Sequence, residues 1–182
     1  AVEDGRALLE AAVRLRPDLI LLDISMPLLN GVDAGRQIKK LLPDVKLIFV
    51  TMHADPAYVS EAFKAGASAY LLKRSAAREL DQAIEAVLKG QYFVTSLLTR
   101  EIVTGLSSEE GGMFSQRQDL TPRQREVLQL IAEGRTIKEI AALLNISPKT
   151  VEFHKAQIIF HLNLRTTAEL TKYALAHGLT SA

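Results

Sequence analysis

Three short, nearly continuous apolar runs set the first half of the chain: Leu19-Ile-Leu-Leu-Asp23, Val45-Lys-Leu-Ile-Phe-Val50 and Ala69-Tyr-Leu-Leu72. Runs of this kind suit strands buried on both faces of a parallel sheet. Helical stretches separate them: Gly5 to Leu15, Asp33 to Leu42, Pro56 to Ala65 and Ala76 to Leu88. In the last stretch Leu80, Ala83, Ile84, Val87 and Leu88 recur at spacings of three and four and make one apolar stripe. The order α-β-α-β-α-β-α predicts right-handed crossovers in a doubly wound sheet, with any site at the carboxyl ends of the strands.

The second half has a different texture. After a Ser-, Gly- and Gln-rich segment, Leu106 to Asp119, every apolar pattern is helical. Thr121-Pro122 starts a helix through Glu133, with Gly134 as the stop, and Thr136 caps one from Ile137 to Leu144. Ser147-Pro148 opens a third, running to about Leu162, and a fourth spans roughly Thr167 to His177. The tight Asn145-Ile-Ser turn between the second and third helices has helix-turn-helix spacing. The expected organisation is therefore an α/β domain over 1–92 and a linker over 93–118, with a short helix at about 97–105 followed by flexible chain. An all-α four-helix domain follows over 119–182.

Composition narrows the function classes. The absence of cysteine excludes a disulfide framework, a thiolate metal site and a cysteine nucleophile. With 48% apolar and 24% charged residues the chain has a globular composition. Its longest apolar run is too short to cross a bilayer and no signal peptide opens it, so a cytoplasmic location without membrane contact is expected. The formal net charge of +1 hides an asymmetry: residues 119–182 hold 8 basic and 6 acidic side chains, and three of the four histidines. Those histidines, scattered and without cysteine, do not make a metal site.

Each run in the first half delivers one polar residue at or just beyond its carboxyl end: Asp23, Thr51 and Lys73. In a parallel sheet these ends share one edge, so a carboxylate, a hydroxyl and an ammonium can meet in one crevice. The carboxylate is a candidate nucleophile toward a phosphoryl group, and the hydroxyl and ammonium are candidate ligands for its oxygens. Taken singly, each residue is as well explained as an ordinary polar strand end.

The string Leu21-Leu-Asp23-Ile-Ser-Met-Pro27-Leu-Leu-Asn-Gly31, with Val50-Thr51 and Ala69-Tyr-Leu-Leu-Lys73, resembles the receiver domain of bacterial response regulators. The resemblance implies a flavodoxin-like receiver fold, Asp23 as phosphoacceptor, Thr51 as switch hydroxyl and Lys73 as phosphoryl ligand. It places Tyr70 where the family has a rotating aromatic, though a half-buried strand-end tyrosine would look the same. It also implies a histidine kinase partner and a Mg²⁺ ion held by Asp23 and the Ser25 backbone carbonyl. The family's acidic pair, which follows its first strand, has no counterpart, since Glu3 and Asp4 precede a helix. The chain opens in what should be the second helix. An incomplete doubly wound domain lacking its first β-α-β unit is therefore expected, with the Leu19–Asp23 strand as an apolar edge. Weak or absent autonomous phosphorylation would follow, unless the acidic pair is supplied from elsewhere.

The segments Leu120-Thr-Pro-Arg-Gln-Arg-Glu-Val-Leu128, Glu139 to His154 and Leu162 to Leu170 resemble the LuxR/FixJ (NarL)-type helix-turn-helix. Ile140, Ala141, Leu144, Ile146, Val151 and Ile158 fit a core between crossing helices. The resemblance implies that the exposed face of the third helix enters the major groove of double-stranded DNA. Lys149, Thr150, Glu152, Phe153, Lys155 and Ala156 are the candidate base-reading positions. Glu152 suits a cytosine amino group and Phe153 a thymine methyl. Arg123, Lys138, Lys149, Thr150, Lys155 and Arg165 are the candidate phosphate contacts. Phe160 stands where the family commonly has a cation, and either packs under the fourth helix or widens a dimer surface. Leu170, Ala174 and Leu175 make an apolar face that serves a two-fold dimer or packs on the first helix of the bundle. The resulting expectation is a dimeric, DNA-binding transcription regulator of the two-component type rather than an enzyme. The alternatives are a phosphorylation-independent regulator and a protein-interaction module with a degenerate receiver. A phosphatase-like enzyme using Asp23 is least supported, because no second acid/base group is visible.

Overall fold

The structure is a computed structural model and describes residues 1–98 and 120–180. These fall into two compact units, one built mainly on a sheet and the other mainly on the helices after residue 120. The short helix expected at about 97–105 and the flexible stretch to 118 lie almost wholly outside the described residues.

In the first unit the elements run α1 (Gly5–Leu15), β1 (Leu19–Leu22), α2 (Gly31–Leu41), β2 (Lys46–Thr51), α3 (Pro56–Lys64), β3 (Ala69–Leu72), α4 (Lys73–Leu88) and β4 (Phe93–Val94). The four strands are parallel, in the order β1-β2-β3-β4. Thr51 pairs with Leu72, which brings the ends of β2 and β3 level, while Leu22 pairs with Phe49 and so ends β1 two residues short of them. The apolar runs are strands because both faces are covered: Leu47, Ile48, Phe49, Ala69, Leu71 and Leu72 are all buried. On one face the α4 stripe contributes Ala83 and Val87, with Leu80 and Ile84 at its margin. Among the described residues β1 stands at one end of the strand order, and its Leu21 is 46% exposed.

Helix α2 begins at Gly31, two residues before the expected Asp33, and two further boundaries differ more consequentially. Helix α4 begins at Lys73, not Ala76, so β3 passes into the helix with Leu72 as its cap and no side-chain capping bond. The expected linker from 93 overlaps β4, a two-residue strand that pairs Phe93 and Val94 with Ala69 and Tyr70. A strand of two residues has no periodicity to read.

The second unit holds α5 (Pro122–Ala132), α6 (Ile137–Leu144), α7 (Pro148–Leu162) and α8 (Thr167–Ala176). Caps fix every start. Thr121, Thr136 and Thr166 each form a capping box with the residue three on, Gln124, Glu139 and Glu169. Ser147 caps α7 by accepting from the Thr150 N–H at 3.1 Å, with Pro148 at the first helical position. Asn145 and Asn163 end α6 and α7 in the left-handed region, at φ 52° and 51°, which few side chains other than Asn tolerate. The core contains Val127, Leu130, Ile140, Ala141, Leu144, Val151, Ile158, Leu170 and Ala174, with Ile146 partly buried against it.

Candidate functional site

At the carboxyl edge of the sheet, two of the three expected residues meet directly. The Lys73 ammonium donates to Asp23 Oδ2 at 2.6 Å, across fifty positions of sequence. Asp23 immediately follows β1, and Lys73 opens α4 at the end of β3. Their side chains are 24% and 47% exposed respectively, so the pair sits at an open mouth. Thr51 ends β2, the strand between them, and is fully buried. Its Oγ1 accepts the His53 backbone N–H at 3.3 Å.

Gly31 explains why the loop after Asp23 carries glycine. Its backbone N–H donates to the Ile24 carbonyl at 2.8 Å, which draws the loop back onto the end of β1. A Cβ at Gly31 would stand 1.9 Å from the Asp23 carbonyl oxygen. Only a residue without a side chain allows so close an approach.

Tyr70 is not half-buried but wholly buried, and its hydroxyl donates to the His53 carbonyl at 2.8 Å. Burial pushes its phenol far above the usual range, with the Tyr58, Asp55 and Asp23 charges acting the same way. His53 was missed by the sequence reading, yet it lies at the centre of these contacts. Its N–H holds Thr51, its carbonyl holds Tyr70, and its ring packs 4.4 Å from that of Tyr58. Burial holds the imidazole below its ordinary pKa; Asp23 opposes that shift and Lys73 adds to it. Position two after the strand-end threonine was the only available signal, and the histidine's main role is played by its backbone.

Among the described residues no group of three or more His, Asp or Glu is placed to hold a metal ion. Receiver domains generally use Mg²⁺. The donors expected from sequence are the Asp23 carboxylate, already paired with an ammonium, and the Ser25 carbonyl two residues on. A hard dication that favours carboxylate and water oxygens in octahedral geometry does not fit this set.

In the second unit, Val151 and Ile158 turn one side of α7 into the core, and the opposite side is open. Lys149, Glu152, Phe153 and Ala156 are exposed there, while Lys155 and Thr150 are half-buried. The Thr150 hydroxyl is 2.8 Å from Ser147 Oγ, within the cap of α7. Lys138 and Arg165 are exposed, whereas Arg123 donates to Glu126 at 2.9 Å within its own helix. Phe160 does not pack under the fourth helix: it is 82% exposed. Of the two readings of the apolar face on α8, packing on the first helix of the bundle is the one seen. Leu170 and Ala174 are fully buried in the bundle core, where α8 packs on α5, and only Leu175 of the three is exposed. No helix among the described residues is long and apolar enough to cross a membrane.

Comparison with known proteins agrees with this division. Residues 1–85 match the response regulator receiver domain, and residues 118–174 match the bacterial regulatory proteins of the luxR family. Transcriptional regulatory protein MctR of Rhizobium johnstonii is 37% identical over 174 residues, which cover 95% of this chain and 78% of that protein. RcsB from Salmonella enterica serovar Typhimurium, bound to promoter rprA in the presence of phosphomimetic BeF3-, superposes with TM-score 0.57 at 29% identity. That superposition covers 94% of this chain and 81% of RcsB. A structure of two RcsB dimers bound to two parallel DNAs gives TM-score 0.53 at 29% identity, again covering 94% and 81%. With a receiver-type sheet that gathers Asp23, Thr51 and Lys73 at one edge and a capped helix-turn-helix after it, the chain belongs to the LuxR-type two-component response regulators.

Proposed function

We propose that phosphorylation of Asp23 controls the reading of double-stranded DNA by α7. The Asp23–Lys73 contact at 2.6 Å, at the same carboxyl edge of the sheet where Thr51 ends β2, carries this reading. A carboxylate oxygen of Asp23 attacks the phosphorus of a phosphohistidine on a histidine kinase or of a small phosphodonor. The bond from phosphorus to the leaving nitrogen or oxygen breaks, and a mixed anhydride forms on Asp23. The Lys73 ammonium and the Thr51 hydroxyl then bind the new phosphoryl oxygens. Thr51 donates its hydroxyl hydrogen to the phosphoryl oxygen, while its Oγ1 goes on accepting the His53 N–H. Movement of Thr51 toward the phosphoryl group therefore pulls on the loop whose carbonyl holds Tyr70. A local charge change is in this way converted into a surface change on the first unit.

At the output end, the exposed side of α7 lies in the major groove, with Lys149, Thr150, Glu152, Phe153, Lys155 and Ala156 toward the bases. Lys138, Arg165 and, once it releases Glu126, Arg123 contact phosphates. The protein acts as a homodimer on two half-sites in the cytoplasm, like the DNA-bound RcsB dimers it resembles. Its contact face on α8 uses residues other than Leu170 and Ala174, such as Leu175.

Affinity for duplex DNA, measured by anisotropy with and without a small phosphodonor and Mg²⁺, tests the reading. The expected result is a donor-dependent change that Asp23→Asn abolishes. The runner-up reading is a phosphorylation-independent regulator. Binding that ignores the donor and survives Asp23→Asn would establish it instead.

A further inference from the structure

We propose that the recognition helix α7 reads two thymine methyl groups, one with Phe153 and a second with Phe160, so that Phe160 is a specificity-determining residue. This rests on α7 being the DNA-reading helix. Phe153 and Phe160 are seven residues apart, which at 100° per residue places them within about 20° of each other around the helix. Val151 and Ile158, also seven apart, lie on the opposite side and are fully buried. Lys149, Phe153, Ala156 and Phe160 therefore form one exposed stripe, directed away from the core. Phe153 is 59% exposed and Phe160 82%, far beyond what an aromatic side chain keeps when it serves the fold.

The occupant follows from continuity and charge. The stripe starts at the Ser147 cap with Lys149 at its head, so its amino-terminal end carries a cation. Phe160 then extends a surface already assigned to DNA, and is not an isolated patch. The base-edge feature that suits an aromatic ring is the thymine 5-methyl, which stands alone in the major groove as an apolar group. Seven residues of helix span about 10.5 Å, which is roughly three base-pair steps at ~3.4 Å each. The preferred half-site accordingly holds two thymines about three steps apart along the groove. Neither ring donates or accepts a hydrogen bond, so each discriminates the methyl and not the rest of the base.

The test separates the methyl from everything else in the site. The 182-residue chain would first be used to enrich duplexes from a random pool. Each thymine of the enriched half-site would then be replaced in turn by deoxyuridine, which removes only the methyl. Affinities would be measured for the wild-type chain, Phe153→Ala and Phe160→Ala, with circular dichroism confirming that the variants fold. For the wild type, deoxyuridine at each of two positions should weaken binding about fourfold, the size of one buried methyl. In Phe160→Ala the penalty at one position should vanish and that at the other remain, with the reverse in Phe153→Ala. Equal penalties in the wild type and Phe160→Ala would overturn the proposal while leaving DNA reading by α7 intact. So would a Phe160→Ala variant whose only change is weaker self-association in sedimentation without DNA, since Phe160 would then face a second copy. Failure to enrich any duplex would overturn both the proposal and the reading beneath it.

Discussion

The two candidate sites are built in opposite ways. In the first unit, three strands contribute one residue each, and Asp23 and Lys73 meet only because the parallel strands bring their carboxyl ends to one edge of the sheet. In the second, a single helix carries the proposed base-reading side chains, and its neighbours hold it in place and add the candidate phosphate contacts Arg123, Lys138 and Arg165. A site assembled by topology depends on every loop that sets the register. The stability of a site on one helix depends on the buried side of that helix, while most changes on its exposed side alter what it binds and leave its fold intact. The contrast predicts where each half is brittle.

The sharpest break should come from Gly31→Ala. The added Cβ would meet the Asp23 carbonyl, a backbone atom that cannot turn aside. We expect a loss of about 4 kcal/mol or more in the first unit, above the common overpacking cost of about 1–3 kcal/mol. Hydrogen exchange read by mass spectrometry reports peptides of each unit separately. It should show deprotection around β1 and β2, with α5 to α8 unchanged. Equal deprotection in both units would mean that they do not fold independently.

In the second unit the matching experiment pairs Ile158→Ala with Phe160→Ala, two residues apart on α7. Ile158 is fully buried, and its truncation should cost about 3 kcal/mol. Phe160 is exposed, so its truncation should change stability by no more than about 0.5 kcal/mol while altering DNA binding. Urea unfolding of the two variants checks the difference. A large loss from Phe160→Ala would show that it serves the fold after all.

How far sequence could see follows the same division. The apolar runs located β1, β2 and β3 to within a residue, because strands buried on both faces leave an unbroken hydrophobic signature. They also located Asp23, Thr51 and Lys73, since a polar residue closing such a run is visible. The depth of Tyr70 was not visible, because an aromatic in an apolar run reads the same whether its hydroxyl reaches solvent or a carbonyl. His53 was missed because it works through its backbone N–H and C=O, which every residue has. On α8, Leu170 and Ala174 form an apolar stripe, and a stripe says that a partner exists without saying which one. The structure shows that partner to be α5. Phe160 was the reverse: the sequence marked it as odd, and only its exposure showed that nothing in the bundle covers it.

A smaller effect is expected where the first unit hands over to the chain beyond it. Thr95 is fully buried, and its hydroxyl lies 2.8 Å from Ser75 Oγ. Glu79 gathers the hydroxyls of Ser75, Thr95 and Ser96, and the Ser96 N–H at 3.3 Å. These hydrogen bonds hold its carboxyl below the usual range against the opposing effect of burial. The cluster fastens the segment after β4 onto α4, a register-setting contact of the kind on which the first unit depends. Thr95→Val keeps the shape and removes the hydroxyl, which should cost about 1–2 kcal/mol. Exchange rates of the amides near β4 should rise, while α1 stays protected.

The second unit should respond to acid through its caps, and unevenly. Backbone N–H donors of Thr136 and of Arg165 hold the Glu139 and Glu169 carboxyls below their ordinary value of 4.5. A carboxyl with a lowered folded-state pKa contributes stability above its unfolded pKa and loses it as pH falls through the folded one. Helices α6 and α8 should therefore begin to lose cap stability as pH drops below about 4.5. Helix α5 has the same capping box with Gln124, whose amide does not titrate, and its cap should persist. Glu139→Gln puts the α5 chemistry on α6. It should keep the bond to the Thr136 N–H near neutral pH and flatten the acid limb of the stability profile. Thermal melts of the two proteins between pH 3 and 7 check this, and an unchanged acid limb would place the proton uptake elsewhere.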